Sequence, residues 1–74
     1  MIPIALAPVG KELVIHAVRG NDAFARRLMD IGICKGQATM VVKSAKDGIV
    51  LSVSGSKIAL DRDSMQRIFV EEKA

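Results

Sequence analysis

Apolar and polar positions follow two different periods along this chain, and together they divide it into short strands around one helix. Leu13 to Arg19 is apolar and β-branched, as a first strand requires. Gly20-Asn21-Asp22 then forms a turn, with an N-cap candidate at Asn21 or Asp22. Phe24, Leu28 and Ile31 recur at i, i+4 and i+7, the spacing of a one-faced helix, while Arg26, Arg27 and Asp30 point elsewhere. Ala38 to Lys43 reads as a second strand. Lys46-Asp47-Gly48 is a hairpin turn in which Asp-Gly supplies positive φ. In the third strand Ile49, Leu51 and Val53 alternate with Val50, Ser52 and Ser54. The segment Ser54 to Lys57 turns again, and Ile58 and Leu60 give a fourth strand its inward face. Asp61 caps a short helical turn running through Gln66, and Arg67 to Glu71 closes as a fifth strand with Ile68 and Val70 inward.

The segment from Arg27 to Gln37 is the most specific. Leu28 and Ile31 share the inner helical face. Gly32 stands where a left-handed C′ residue is wanted, and Ile33 can fold back onto the helix just ended. Gly36 turns the chain into the second strand.

Short strands of this kind leave two edges and a bare face if they lie flat. Curling into a partly closed barrel buries the alternating Ile, Leu and Val residues. The architecture expected is mainly β: a small SH3-like barrel of about five strands, with one helix inserted between the first and second. Phe24, Leu28 and Ile31 plug one end, and a single domain spans residues 1–74.

Composition narrows the class. At 74 residues there is room for one small core, and 50% hydrophobic content argues against disorder. With only Phe24 and Phe69 as aromatics, that core is built from Ile, Leu, Val, Met and Ala. The lone Cys34 cannot close an intramolecular disulfide, which suits a reducing cytoplasm. The apolar N-terminus is broken by Pro3 and Pro8 and has no basic segment before it, unlike a signal peptide. No apolar run reaches the roughly 20 residues that span a bilayer. A membrane role is expected only through a partner.

The net charge of +3 is unevenly spread. Residues 1–57 carry eight basic side chains against four acids, a balance of +4; residues 58–74 carry three against four, a balance of −1. Such an excess suits an acidic partner or an anionic membrane edge, and it is also what a solvated surface looks like.

Catalytic motifs are absent. Gly10-Lys11-Glu12 lacks both the upstream glycine and the hydroxyl residue of a phosphate-binding loop. His16 is the one base available to any triad, and no spacing supports one. Asp61 and Asp63 read as turn and cap residues. The chain is expected not to be an enzyme and to need no cofactor. Non-haem iron favours two imidazoles and a carboxylate, whereas this chain has one His16, and Cys34 lies far from it in sequence. No metal site is expected within one chain; a weak one shared across a dimer stays open.

The helix stop Leu28, Ile31, Gly32 and the second glycine, Gly36, match in order and residue type the signature of the FeoA family. Leu6 with Gly10, Ile15 with Val18, Ile58 with Leu60, and Ile68-Phe69-Val70 fall where that family places its opening Leu and Gly, first strand, fourth strand and closing strand. The chain therefore resembles the small accessory proteins of bacterial ferrous iron uptake over nearly its whole length. That resemblance implies an SH3-like barrel that docks on the cytoplasmic side of FeoB, a membrane GTPase that carries ferrous iron inward. The surface expected to make that contact is the basic helix face with Arg26 and Arg27, joined by Lys35. An exposed apolar anchor at Met29 or Ile33 completes it.

Two other classes share these features. The same fold closes iron-dependent repressors, but those carry a DNA-binding domain upstream, and with the chain beginning at Met1 the free-standing form is the one expected. An RNA-binding barrel suits a pI near 9.4, but stacking needs exposed aromatics and Phe24 is expected inside, so no nucleic acid is expected. A strand edge leaves a weak homo-oligomer open.

Overall fold

A computed structural model describes residues 1–73. Its strands are β1 (Ile2–Pro3), β2 (Glu12–Val18), β3 (Ala38–Ala45), β4 (Gly48–Val53), β5 (Ser56–Asp61) and β6 (Ile68–Glu72). Helix α1 (Asp22–Asp30) lies between β2 and β3, and a one-turn helix α2 (Arg62–Met65) joins β5 to β6. The strands form one sheet in the order β1-β6-β2-β3-β4-β5, with every neighbouring pair antiparallel. The architecture is thus the expected one, mainly β with the long helix between the first two long strands.

Period-two alternation places Leu13 and Ile15 of β2, Val41 of β3, Ile49, Leu51 and Val53 of β4, and Ile68 and Val70 of β6 inside. Each such side chain contributes roughly 1.5–3 kcal/mol when fully buried. Ile58 and Leu60 are half-buried against the same core, and Phe24 and Leu28 cover it from α1. The Thr39 hydroxyl, buried on β3, donates to the Ser52 carbonyl at 3.0 Å and so is satisfied. Bulges at His16 in β2 and at Val42 in β3 bend the sheet.

Four expectations are corrected. The sheet has six strands, because Ile2 and Pro3 pair with Val70 and Phe69 ahead of a 3₁₀ turn, Ile4–Leu6, whose Ile4 is fully buried. A two-residue edge strand has no period to read, and Pro3, lacking an N–H, is tolerated there because one side of β1 is unpaired. Second, the loop between β3 and β4 is Lys46-Asp47, and Gly48 opens β4 without positive φ. Gly48 serves close approach instead: a Cβ there would lie 2.9 Å from the Leu60 carbonyl oxygen. The positive-φ hairpin is the next one, where Ser54 (φ 50°) and Gly55 (φ 82°) both show the backbone of a primed turn.

The third and fourth corrections exchange two isoleucines. Ile31 is 48% exposed, whereas Ile33 is completely buried. Helix α1 stops at Asp30, and Ile31 is its C-cap with φ −103° and ψ 12°, so the i+7 projection from Phe24 no longer applies. Chain reversal at Gly32 then delivers Ile33 to the core. Leu6, placed at the family's opening leucine, is 74% exposed.

Candidate docking surface

Helix α1 is held at both ends by side-chain and backbone hydrogen bonds. The Phe24 amide donates to Asn21 Oδ1 at 2.8 Å, which fixes Asn21 as the N-cap. At the other end the Ile33 amide donates to the Leu28 carbonyl at 2.8 Å and the Gly32 amide to the Met29 carbonyl at 3.0 Å. This is a Schellman closure, with Gly32 at φ 92° as its left-handed residue. The link that follows is tied to β2: the Gly36 amide donates to the Ile15 carbonyl at 2.8 Å, and the Ile15 amide to the Gln37 carbonyl at 2.9 Å. Gly36 therefore turns as expected, and Lys35 is exposed on a segment anchored on both sides.

With Leu28 facing the core, Arg26 occupies the crest of α1 and Arg27 and Met29 its two flanks. Met29 is 60% exposed. It lines an open groove of about 440 Å³ with Met1, His16, Val18, Cys34 and Lys35. Arg27 lines a second groove, on the α2 side, with Asn21, Phe24, Asp63 and Arg67. The sequence-predicted set is thus brought together only in part. Met29, Ile33 and Lys35 line one groove, Arg26 is exposed on the crest of α1 and Arg27 turns toward α2, while Ile33, with no exposed surface, is removed as an exposed anchor.

The two grooves differ electrostatically. On the α2 side Arg67 pairs with Asp63 at 3.2 Å and lies over the Phe24 ring, 5.5 Å from its centroid. Asp61 caps α2 by accepting from the Ser64 amide at 2.7 Å. Hydrogen bonds from the Ser64 amide and side chain hold the Asp61 carboxyl below its ordinary range, and Arg27 adds a smaller pull. Arg27 therefore has a local electrostatic role. Among the described residues Arg26 and Lys35 form no ion pair, so their charges are available to a partner.

Two groove residues were not placed there by sequence: His16 and Cys34 line the same groove although they belong to β2 and the link. β2 bulges at His16, and nothing in the period of residues 13–19 announces it. His16 Nδ1 lies 3.3 Å from Glu71 Oε1, with both side chains about half exposed. Among the described residues no three of His, Cys, Asp and Glu converge as a metal-binding group would. The groove is partly apolar, and of the two cations without an ion pair among the described residues Lys35 lines it while Arg26 stands on the crest of α1. No helix among the described residues is long and apolar enough to cross a membrane.

A sequence model of the FeoA domain matches residues 2–72. The chain is 29% identical over 72 residues to a Methanocaldococcus jannaschii protein carrying the name Fe(2+) transport protein A, covering 97% of this chain and 88% of that one. Its fold superposes with a TM-score of 0.88 on the crystal structure of an iron uptake regulatory protein, FeoA, at 22% identity and 97% coverage of both chains. It superposes at 0.87 on the solution structure of FeoA from Chlorobium tepidum, at 25% identity, covering 99% of this chain and 71% of that one. A TM-score of 0.87 is also reached against the repressor ScaR with bound Zn2+, at 20% identity and over 37% of that longer chain.

Proposed function

Because this chain belongs to the FeoA family, we propose that it acts as a non-enzymatic accessory of ferrous iron transport that docks on the cytoplasmic side of a FeoB-like membrane GTPase. The observation that carries this reading is Met29, a large apolar side chain left 60% exposed on a helix capped at both ends, beside Arg26 and Lys35, which form no ion pair among the described residues. An exposed apolar anchor ringed by charge is the composition of an interface hot spot and its polar rim. Ferrous iron in this reading is the partner's cargo, and this chain contributes contacts to the partner.

The repressor likeness is one of fold alone at 20% identity. An RNA-binding role is disfavoured by the two aromatics: both are half-buried, and a guanidinium covers one face of each, Arg19 4.7 Å from the Phe69 centroid and Arg67 5.5 Å from that of Phe24. The test is association of the purified chain with detergent-solubilised FeoB, measured across a salt series. Binding that weakens with salt and is lost in Met29→Glu supports the reading; equal binding by wild type and Met29→Glu overturns the surface. No association with FeoB, together with salt-sensitive binding to bulk RNA, overturns the function.

A further inference from the structure

β5 ends the sheet on one side, and among the described strands only β4 pairs with it. Its hairpin with β4 has a two-residue loop, Ser54-Gly55, closed by the pair Val53↔Ser56. In such a hairpin the closing pair exchanges both hydrogen bonds, and the ladder then alternates. The pairs Leu51↔Ile58 and Ile49↔Leu60 are therefore the hydrogen-bonded ones, so the N–H and C=O groups of Lys57 and Ala59, and the N–H of Asp61, point away from the sheet. An open edge of this kind is a template for another strand.

We infer that β5 is a self-recognition edge, and that a second copy of this chain adds its own β5 antiparallel to it about a two-fold axis at Ala59. The argument is self-complementarity. Antiparallel pairing centred on Ala59↔Ala59 sets Lys57 of each copy directly opposite Asp61 of the other, on the same face of the sheet. Neither charge is consumed by an ion pair among the described residues: Lys57 has none there, and Asp61, within electrostatic reach of Arg27, uses one carboxylate oxygen, Oδ1, to cap Ser64. Ala59 at the axis is small enough to sit beside its own image. On the opposite face, Ile58 of one copy meets Leu60 of the other, and both are half-buried in the monomer. The two Ala59 residues exchange both backbone bonds, and each Asp61 amide donates to the Lys57 carbonyl opposite. An interface that matches itself under a two-fold rotation closes as a dimer and does not propagate.

A shift of the pairing centre by one residue, to Ile58 or Leu60, would use the same outward backbone groups but set Lys57 or Asp61 opposite Ala59, so it is the Lys57–Asp61 match that specifies the register. The strand is short, and the dimer belongs with weak, transient interfaces. It is distinct from the Met29 groove, although Asp61 lies within electrostatic reach of Arg27 of α1, and it does not rest on the transport role.

Sedimentation equilibrium of the full chain from micromolar to millimolar concentration, at low and high salt, tests it. The expected result is a concentration-dependent rise in mass from 7.9 kDa toward twice that value, weakened by salt. Amide hydrogen exchange at Ala59 and Asp61 should slow as the dimer fills. Ala59→Pro removes an N–H that only the dimer uses, on an edge where proline is tolerated, and should abolish association with an unchanged thermal midpoint. Lys57→Asp, which sets acid opposite acid, should weaken association at least tenfold and stands in if Ala59→Pro fails to fold. Asp61→Asn keeps the cap and should remove most of the salt dependence. A monomer at millimolar concentration, or a dimer indifferent to both Ala59→Pro and Lys57→Asp, overturns the inference.

Discussion

The amide of Ile33 donates to the carbonyl of Leu28 across 2.8 Å, and both side chains are buried in the same core. One hydrogen bond thereby closes the helix and one apolar contact seals it, with Gly32 making the reversal between them. A Cβ at Gly32 would stand 3.2 Å from Val53 Cγ1, and the residue has φ 92°. Gly32→Val meets both obstacles and should destabilise by about 1–3 kcal/mol. Gly36→Ala has a similar φ of 90° but nothing within 4 Å of its Cβ, so its loss should be smaller. Equal thermal midpoints for wild type and Gly32→Val would mean the helix ends by another device.

The exchanged isoleucines give a second prediction. Ile33→Ala should cost about 2–5 kcal/mol, as deletions at fully buried sites do, while Ile31→Ser should stay within about 0.5 kcal/mol. Chemical denaturation of the two variants checks it. A larger loss at Ile31 would restore the seven-residue projection of the helix face.

These two residues also show where the sequence was legible and where it was not. The strands with clean alternation, Ile49-Leu51-Val53 and Ile68-Val70, are inward as their period required. The caps at Asn21 and Asp61 follow from short polar side chains whose oxygen reaches an amide three residues on. Ile31 was misplaced because helical periodicity has no meaning beyond the last helical residue; Ile33 folds back onto the helix as the glycine stop implied, and that burial rules out the exposed anchor also assigned to it. β1 and the bulge at His16 depend on pairing partners more than fifty residues away, at Val70 and Phe69, which no local pattern carries. Of the candidate surface, Arg26, Met29 and Lys35 could be read as surface positions, but the separation of Arg27 toward α2 required the tertiary fold.

Asp61 should make stability depend on acid pH. Its carboxyl is held below the ordinary value by Ser64 in the folded chain, so the charged form favours folding. That contribution is present above the ordinary carboxylate range and is lost as pH falls through the lowered folded value. Asp61→Asn keeps a capping oxygen without the titration, so its thermal midpoint should fall less between neutral pH and pH ~3 than wild type does. Parallel curves for the two proteins would assign the acid sensitivity to other carboxylates.

The docking face makes opposite demands on neighbouring residues. Arg26 is exposed on the crest of α1 and Leu28 is 6% exposed beneath it. Charge reversal at an exposed site normally changes stability by within about 0.5 kcal/mol, so Arg26→Glu with Arg27→Glu should leave the fold intact. Because Arg27 also helps hold Asp61 ionised, Arg26→Glu alone is the cleaner variant. Both variants should lower ferrous iron uptake in a strain lacking its own FeoA, since a reversed charge repels the same partner surface. Leu28→Gln should lower both uptake and the thermal midpoint, because it sets an amide among apolar side chains with no partner. Normal uptake by Arg26→Glu and by the double reversal, at wild-type thermal midpoints, would take the helix crest out of the interface. The contact would then fall to the groove edge at Met29 and Lys35.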